Sequence, residues 1–288
     1  MEKRMLKPND LCKENINSAI SKANLSSKQM LILGILAGAF IAIGGFSSAI
    51  VSHNVTNFSI SKLLAGMIFP VGLMLVIICG AELFTGNSLM VTAVLEKRIT
   101  FKEMMKNWIL VYIANFVGSL LIVLLIYYSG SLDVNSGKLG SFAIKTAYTK
   151  SILSSSKAFF SGILCNFIVC LTVWGSFAAK DIISKISIIW FPIMAFVISG
   201  FEHSVANMYF LFIGLLAKNN PNYLTNLSLN INQLSNINML NISHNLLWVT
   251  LGNIVGGSVL VATLYWSVYR KNLCNEKIVN LNSNIETK

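Results

Sequence analysis

The chain is expected to fold as an all-α membrane protein of six transmembrane helices, in two inverted halves of three spans (3+3) with helices 2 and 5 broken. Three observations point there. The first is composition: of 288 residues, 55% are hydrophobic and 11% charged, against about 25% charged in an ordinary soluble domain. The second is a set of six apolar runs near or beyond the ~20 residues that cross ~30 Å of hydrocarbon as a helix: residues 30–50, 63–79, 108–128, 159–179, 186–217 and 246–269. The third is a motif that occurs twice.

That motif interrupts two of the runs. "CGAELFTGN" stops the second and "SGFEHSVAN" the fifth, and aligned at their glycines they share G-x-E-x-x-x-x-N: Gly80, Glu82 and Asn87 against Gly200, Glu202 and Asn207. The spans that follow match again, "ANFVGS" against "GNIVGGS". An odd number of spans per repeat sends the second half into the membrane from the opposite side. Paired discontinuous helices in such a repeat point to a binding or conduction site near the midplane. Irregular backbone at that depth survives only where protein or a wet cavity satisfies it.

Residues 1–28 lack the apolar core of a cleavable signal peptide and carry apolar residues at helical spacing over 10–23, as an amphipathic helix would. Residues 29–270 are expected to form the six-helix transmembrane domain, and 271–288 a polar, disordered tail. With the N-terminus inside, inner segments hold 16 Lys and Arg and outer ones 6, so both termini are expected in the cytoplasm of a multi-pass plasma-membrane (inner-membrane) protein. Lys62 counts among the outer six. The net charge of +11 then reflects anionic lipid of the bilayer, not nucleic acid. The loops 130–156 and 218–245 are external.

Five cysteines and three histidines show no metal-ligand or nucleophile spacing, so neither an enzyme nor a metal or cofactor is expected. A water pore lacks its Asn-Pro-Ala signature, since Asn220-Pro221 lies in a loop, and His53 and His244 near span ends do not make the paired pore histidines of an ammonium channel.

"AELFTGN", "NWILVYIANFVG", "GILCNFIVCLTVW", "GFEHSVANMY" and "GNIVGG", in this order over about residues 10 to 270, resemble the formate/nitrite transporter family, more narrowly its hydrosulfide channel branch. The resemblance implies an aquaporin-like protomer, a homopentamer with one pore per protomer, and a small monovalent weak-acid anion as substrate. Carried over by position, it implies a central histidine at His203, a threonine of the first break at Thr85 and an asparagine of the fourth span at Asn166. It also implies an outer apolar constriction at Phe69 and Phe196, an inner one at Leu73, Leu83 and Phe84, and a vestibule lysine at Lys150. The stretch "AYTKSILSSSKAFF" departs from the histidine-richer formate members and offers Lys157 as a second candidate.

Taken without the resemblance, Thr85 reads as a helix cap, Asn166 as an interhelical hydrogen bond, Lys150 as a loop lysine, and the phenylalanines and leucines as packing. A charged group in a span costs at least ~2.5 kcal/mol. Glu82 and Glu202, being duplicated with Asn87 and Asn207, read as structural groups bonding free backbone at the breaks. His203 has no counterpart in the first half and reads as functional. The expected mechanism draws the anion in by positive potential and passes it near its neutral acid form between two apolar necks. Hydrosulfide is the first choice, formate and nitrite next, through a channel or a proton-coupled transporter.

Overall fold

The structure, a computed structural model, describes residues 5–225 and 227–270. The expected tail at 271–288, with Cys274, and the N-terminal Lys3 and Arg4 lie outside these residues. Six helices among the described residues are long and apolar enough to cross a membrane, and the chain forms no β-strand there, only an isolated bridge between Met5 and Ala179.

The first half opens with α1 (Pro8–Ala23) and continues through α2 (Ser27–Ser52), α3 (Phe58–Ile68) and α4 (Val71–Ile78) to the first break. After the break come α5 (Phe84–Asn87), a 3-10 turn, α6 (Val91–Leu95) and the long α7 (Phe101–Tyr128). The second half repeats the order with α8 (Lys138–Ser151), α9 (Ser155–Ser176), α10 (Ile182–Ser199), the second break and α11 (Ser204–Ala217). Two short helices, α12 (Pro221–Leu224) and α13 (Ile231–Ser235), then precede α14 (Met239–Ile254), which runs on as a π-helix over Val255–Thr263.

Local chemistry sets most of these bounds. Ser26 and Gln29 form a capping box at the start of α2, Thr100 and Glu103 another at α7, and Asp181 accepts from the Ser184 N–H at α10. Each such cap satisfies amide donors that a helix start leaves free. Pro70 separates α3 from α4 because it has no N–H to continue the ladder. Gly80 and Gly200 end the helices ahead of the breaks with φ of 78° and 72°, a left-handed conformation that a side chain disfavours.

The span limits differ from those expected at two places. The second span helix starts at Phe58, a turn ahead of the apolar run, because Asn57 caps it, which moves Lys62 from a loop into the helix. The segment 130–156 is no plain loop, since α8 occupies most of it. Nor does α1 lie free on the surface: Leu11, Cys12, Ile16 and Ala19 are buried in the main core, and Leu6 N donates to Ala178 O at 3.1 Å.

Close backbone approach packs the helices within each half. At Gly38 in α2, a Cβ would fall 2.7 Å from the carbonyl carbon of Asn115 in α7, so the two helices touch main chain to main chain, as small residues permit in membranes. Gly38→Ala is expected to lower stability by ~1–3 kcal/mol through overpacking, read as a fall in thermal midpoint of the purified protein. An unchanged midpoint would mean that the helices part without cost. Burial, and then the Glu96 carboxylate, push the Cys12 thiol up to about 11. Maleimide at neutral pH is therefore expected to spare Cys12 in the folded protein; rapid labelling would show that α1 detaches.

Candidate functional site

The two breaks meet at the centre of the molecule, each built from the same four polar groups. In the first, Glu82 accepts from Lys22 Nζ at 2.6 Å and from Asn87 Nδ2 at 2.8 Å, and Asn87 Nδ2 also donates to Asn107 Oδ1 at 2.7 Å. In the second, Glu202 accepts from Lys150 Nζ at 2.8 Å and from Asn207 Nδ2 at 2.6 Å, and Asn207 Nδ2 donates to Asn245 Oδ1 at 2.8 Å. Asn107 and Asn245 close the rings by donating to the carbonyls of Lys22 and Lys150. Both carboxylates are buried, and each is neutralised by one lysine, which is what a buried charge requires.

The free backbone groups of the breaks are held by a different pair. Asn115 Oδ1 accepts from the Phe84 N–H at 2.9 Å, while its Nδ2 donates to the carbonyls of Gly34 and Glu82. Asn253 does the same for Ser204 N–H at 2.9 Å and for the carbonyls of Gly162 and Glu202. This corrects the expectation for Glu82 and Glu202. Their carboxylates bond side chains and not free backbone, because a side-chain amide supplies both a donor and an acceptor and a carboxylate only acceptors.

Between the breaks the symmetry fails, and there the distinctive chemistry sits. His203 caps α11 by accepting from Ala206 N–H through Nδ1 at 3.1 Å, and its Nε2 lies 2.9 Å from Thr85 Oγ1. A backbone N–H only donates, so Nδ1 is unprotonated and Nε2 carries the proton, through which it donates a hydrogen bond to the threonine oxygen. The Thr85 hydroxyl proton is left to donate elsewhere. Asn166 Nδ2 reaches Thr85 O at 3.1 Å, Ser88 Oγ at 3.2 Å and Asn253 O at 2.6 Å, tying α9 to the first break. Gly257 of the π-helix backs onto this knot, where a Cβ would fall 2.6 Å from Asn166, Cys170 and Ser88 alike.

Apolar rings flank the centre. Phe69 and Phe196 meet edge to face at 5.7 Å, and Phe196 stacks on the His203 ring at 6.2 Å. On the α1 side a cavity of about 360 Å³ is lined by Lys22, Glu82, Leu73 and Leu83 among others. Phe84, the third residue of the expected inner constriction, places its ring edge to face against Tyr112 at 4.8 Å and Trp108 at 6.0 Å. Lys150 stands at the second break, while Lys157 is exposed at the start of α9.

Sequence reasoning missed Lys22, Asn107, Asn245, Asn115 and Asn253. The signal was present: the repeat that matches Gly80 to Gly200 extends upstream to α1 and α8 and downstream to α7 and α14, and carrying it through pairs Lys22 with Lys150. Among the described residues no group of three or more His, Cys, Asp and Glu side chains is placed to hold a metal ion.

Residues 9–267 match the family model described as formate/nitrite transporter. The chain is 36% identical over 270 residues to the formate channel FocA of Escherichia coli (strain K12), covering 92% of this chain and 95% of that one. It is 39% identical over 263 residues to a probable formate transporter of Methanothermobacter thermautotrophicus, covering 84% and 89%. Among solved structures, a pentameric formate channel with formate bound superposes with a TM-score of 0.76 at 34% identity over 84% of this chain and 97% of that one. An ion channel of the same family superposes with 0.79 at 29% identity over 90% and 98%.

Asn253→Ala removes the partner of a buried N–H and of two buried carbonyls, each worth ~1–3 kcal/mol when left unpaired. A loss of stability of at least ~2 kcal/mol is expected in denaturation of the purified protein, and a neutral outcome would mean that water takes the place of the amide.

Proposed function

Because the chain belongs to the formate/nitrite transporter family, we propose that it is a membrane channel for a small monovalent weak-acid anion, with formate as the leading substrate. Formate stands ahead of the expected hydrosulfide because three of the four similar proteins named above carry formate in their names; none of the four names hydrosulfide. The observation that supports the reading is the buried Thr85–His203 pair, with the Phe69 and Phe196 rings packed on one side and Leu73 and Leu83 lining the cavity on the other.

A bare anion in an apolar neck costs far more than its neutral acid. Lys22 and Lys150 concentrate anions at the two mouths only weakly, since each is already paired with a carboxylate. The N-terminal end of α11 at His203 adds positive potential at the centre. There the permeant accepts from the Thr85 hydroxyl, whose oxygen is held by His203 Nε2–H, and takes its proton from water as it enters the neck. His203 in this account donates a hydrogen bond and keeps its proton, because protonating Nδ1 would break the cap of α11.

The assembly proposed is a homopentamer, as in the similar solved channel. Both termini face the cytoplasm by the excess of Lys and Arg on the α1 side, with α1 (Pro8–Ala23) at the pore mouth and 29–270 as the channel domain.

In proteoliposomes, formate, nitrite and hydrosulfide are expected to cross without uphill accumulation, formate fastest, and chloride not to cross. Chloride flux equal to formate would remove the reason for two apolar necks; uphill formate uptake driven by a pH gradient would make the protein a proton-coupled transporter. His203→Asn, which retains a cap acceptor, is expected to cut formate flux roughly tenfold, the value of one hydrogen bond, with the shape of its pH profile unchanged. A profile that shifts or flattens would make His203 a proton donor.

A further inference from the structure

We infer that Lys62 is the anion-capturing group of the mouth on the α8 side, holding a small monoanion ahead of the Phe69–Phe196 neck. The inference rests on the channel reading above and deepens it by separating two lysines at that mouth.

Lys150 is poorly placed to hold an incoming anion. Its ammonium lies 2.8 Å from the Glu202 carboxylate, so an anion must compete with a fixed carboxylate at contact, and the pair as a whole carries no net charge. Lys62 stands beside this pair and feels the charge of both members. Among the described residues no carboxylate lies within ion-pair distance of it. Its one marked contact is the Phe58 ring, 5.7 Å from Nζ to centroid. It is half-buried, so its charge is screened less than that of a surface lysine.

Position on the helix aims it at the pore. Lys62 and Phe69 are seven residues apart, two turns of helix, so they share one face with Phe69 about 10 Å deeper. Gly66 lies between them on that face and meets α10, where a Cβ would fall 2.8 Å from Ile198 Cγ1. The same stripe thus faces the helix that supplies Phe196, and Lys62 Nζ lies 3.7 Å from the Cβ position of Gly200, at the mouth of the second break. An anion bound to Lys62 therefore sits above the neck with all three ammonium donors available to it. The equivalent position in the second half is Ile182, exposed and apolar, so this lysine is not duplicated by the repeat.

The test uses the full chain in proteoliposomes, with formate influx measured against concentration at low and high salt. Lys62→Met and Lys62→Gln are expected to raise the half-saturating formate concentration roughly fivefold for entry from the α8 side, the weight of one unit charge a few Å away in water-rich surroundings. Maximal flux and entry from the α1 side stay as in the wild type, Lys62→Arg retains wild-type affinity, and the difference shrinks at 1 M salt, where charges beyond about 3 Å are screened. Lys157→Met, on the same side but exposed, is the control and is expected to behave as wild type. Unchanged half-saturation in both neutral variants, or an equal shift in Lys157→Met, overturns the inference while leaving the channel reading intact. Wild-type protein that carries none of formate, nitrite or hydrosulfide overturns both. Size-exclusion profile and thermal midpoint of each variant separate loss of capture from loss of fold.

Discussion

A helix broken inside hydrocarbon leaves amide and carbonyl groups that no water reaches, and the rest of this structure follows from how those groups are satisfied. Asn115 and Asn253 do it, each giving one acceptor to a free N–H and two donors to free carbonyls. With the backbone held, the breaks become rigid platforms. The geometry they share then depends on Glu82 and Glu202, buried carboxylates that are tolerable only because Lys22 and Lys150 neutralise them and Asn87 and Asn207 fill their second oxygens.

Duplication and its failures divide structure from function in this molecule. The Lys–Glu–Asn–Asn rings, the capping asparagines and the left-handed glycines occur in both halves and build the scaffold. His203 has Leu83 as its equivalent and Thr85 has Val205, so the polar step at the centre belongs to one pair of residues only. Lys62 has Ile182, and about eighteen residues are inserted between α11 and α14 relative to the first half. A symmetric scaffold thus carries an asymmetric centre, and the proposed pathway through it has two unlike mouths.

The π-helix at the end of α14 fits the same division. A wider helix presents Gly257 where a side chain would collide with Asn166, Cys170 and Ser88, and Ser258 Oγ donates to Ser88 O at 3.2 Å. The knot that fixes the Thr85 carbonyl is therefore assembled from α9, the first break and the last span together, and π-helical turns concentrate at such places.

Six spans, two breaks and the repeat were legible in the sequence because they rest on local rules: hydrocarbon thickness sets run length, glycine permits the left-handed turn, and duplicated residues align without a structure. His203 was legible as the exception to the repeat. The partners were not, since nothing local couples Lys22 to Glu82 across 60 residues or Asn253 to Gly162 across 91. Composition also misplaced Lys62, because the apolar run begins after it while the helix begins at the Asn57 cap. Which lysine is paired and which is left uncompensated was decided only by tertiary structure, because an ion pair depends on where two side chains end in space and the sequence records only that both are charged.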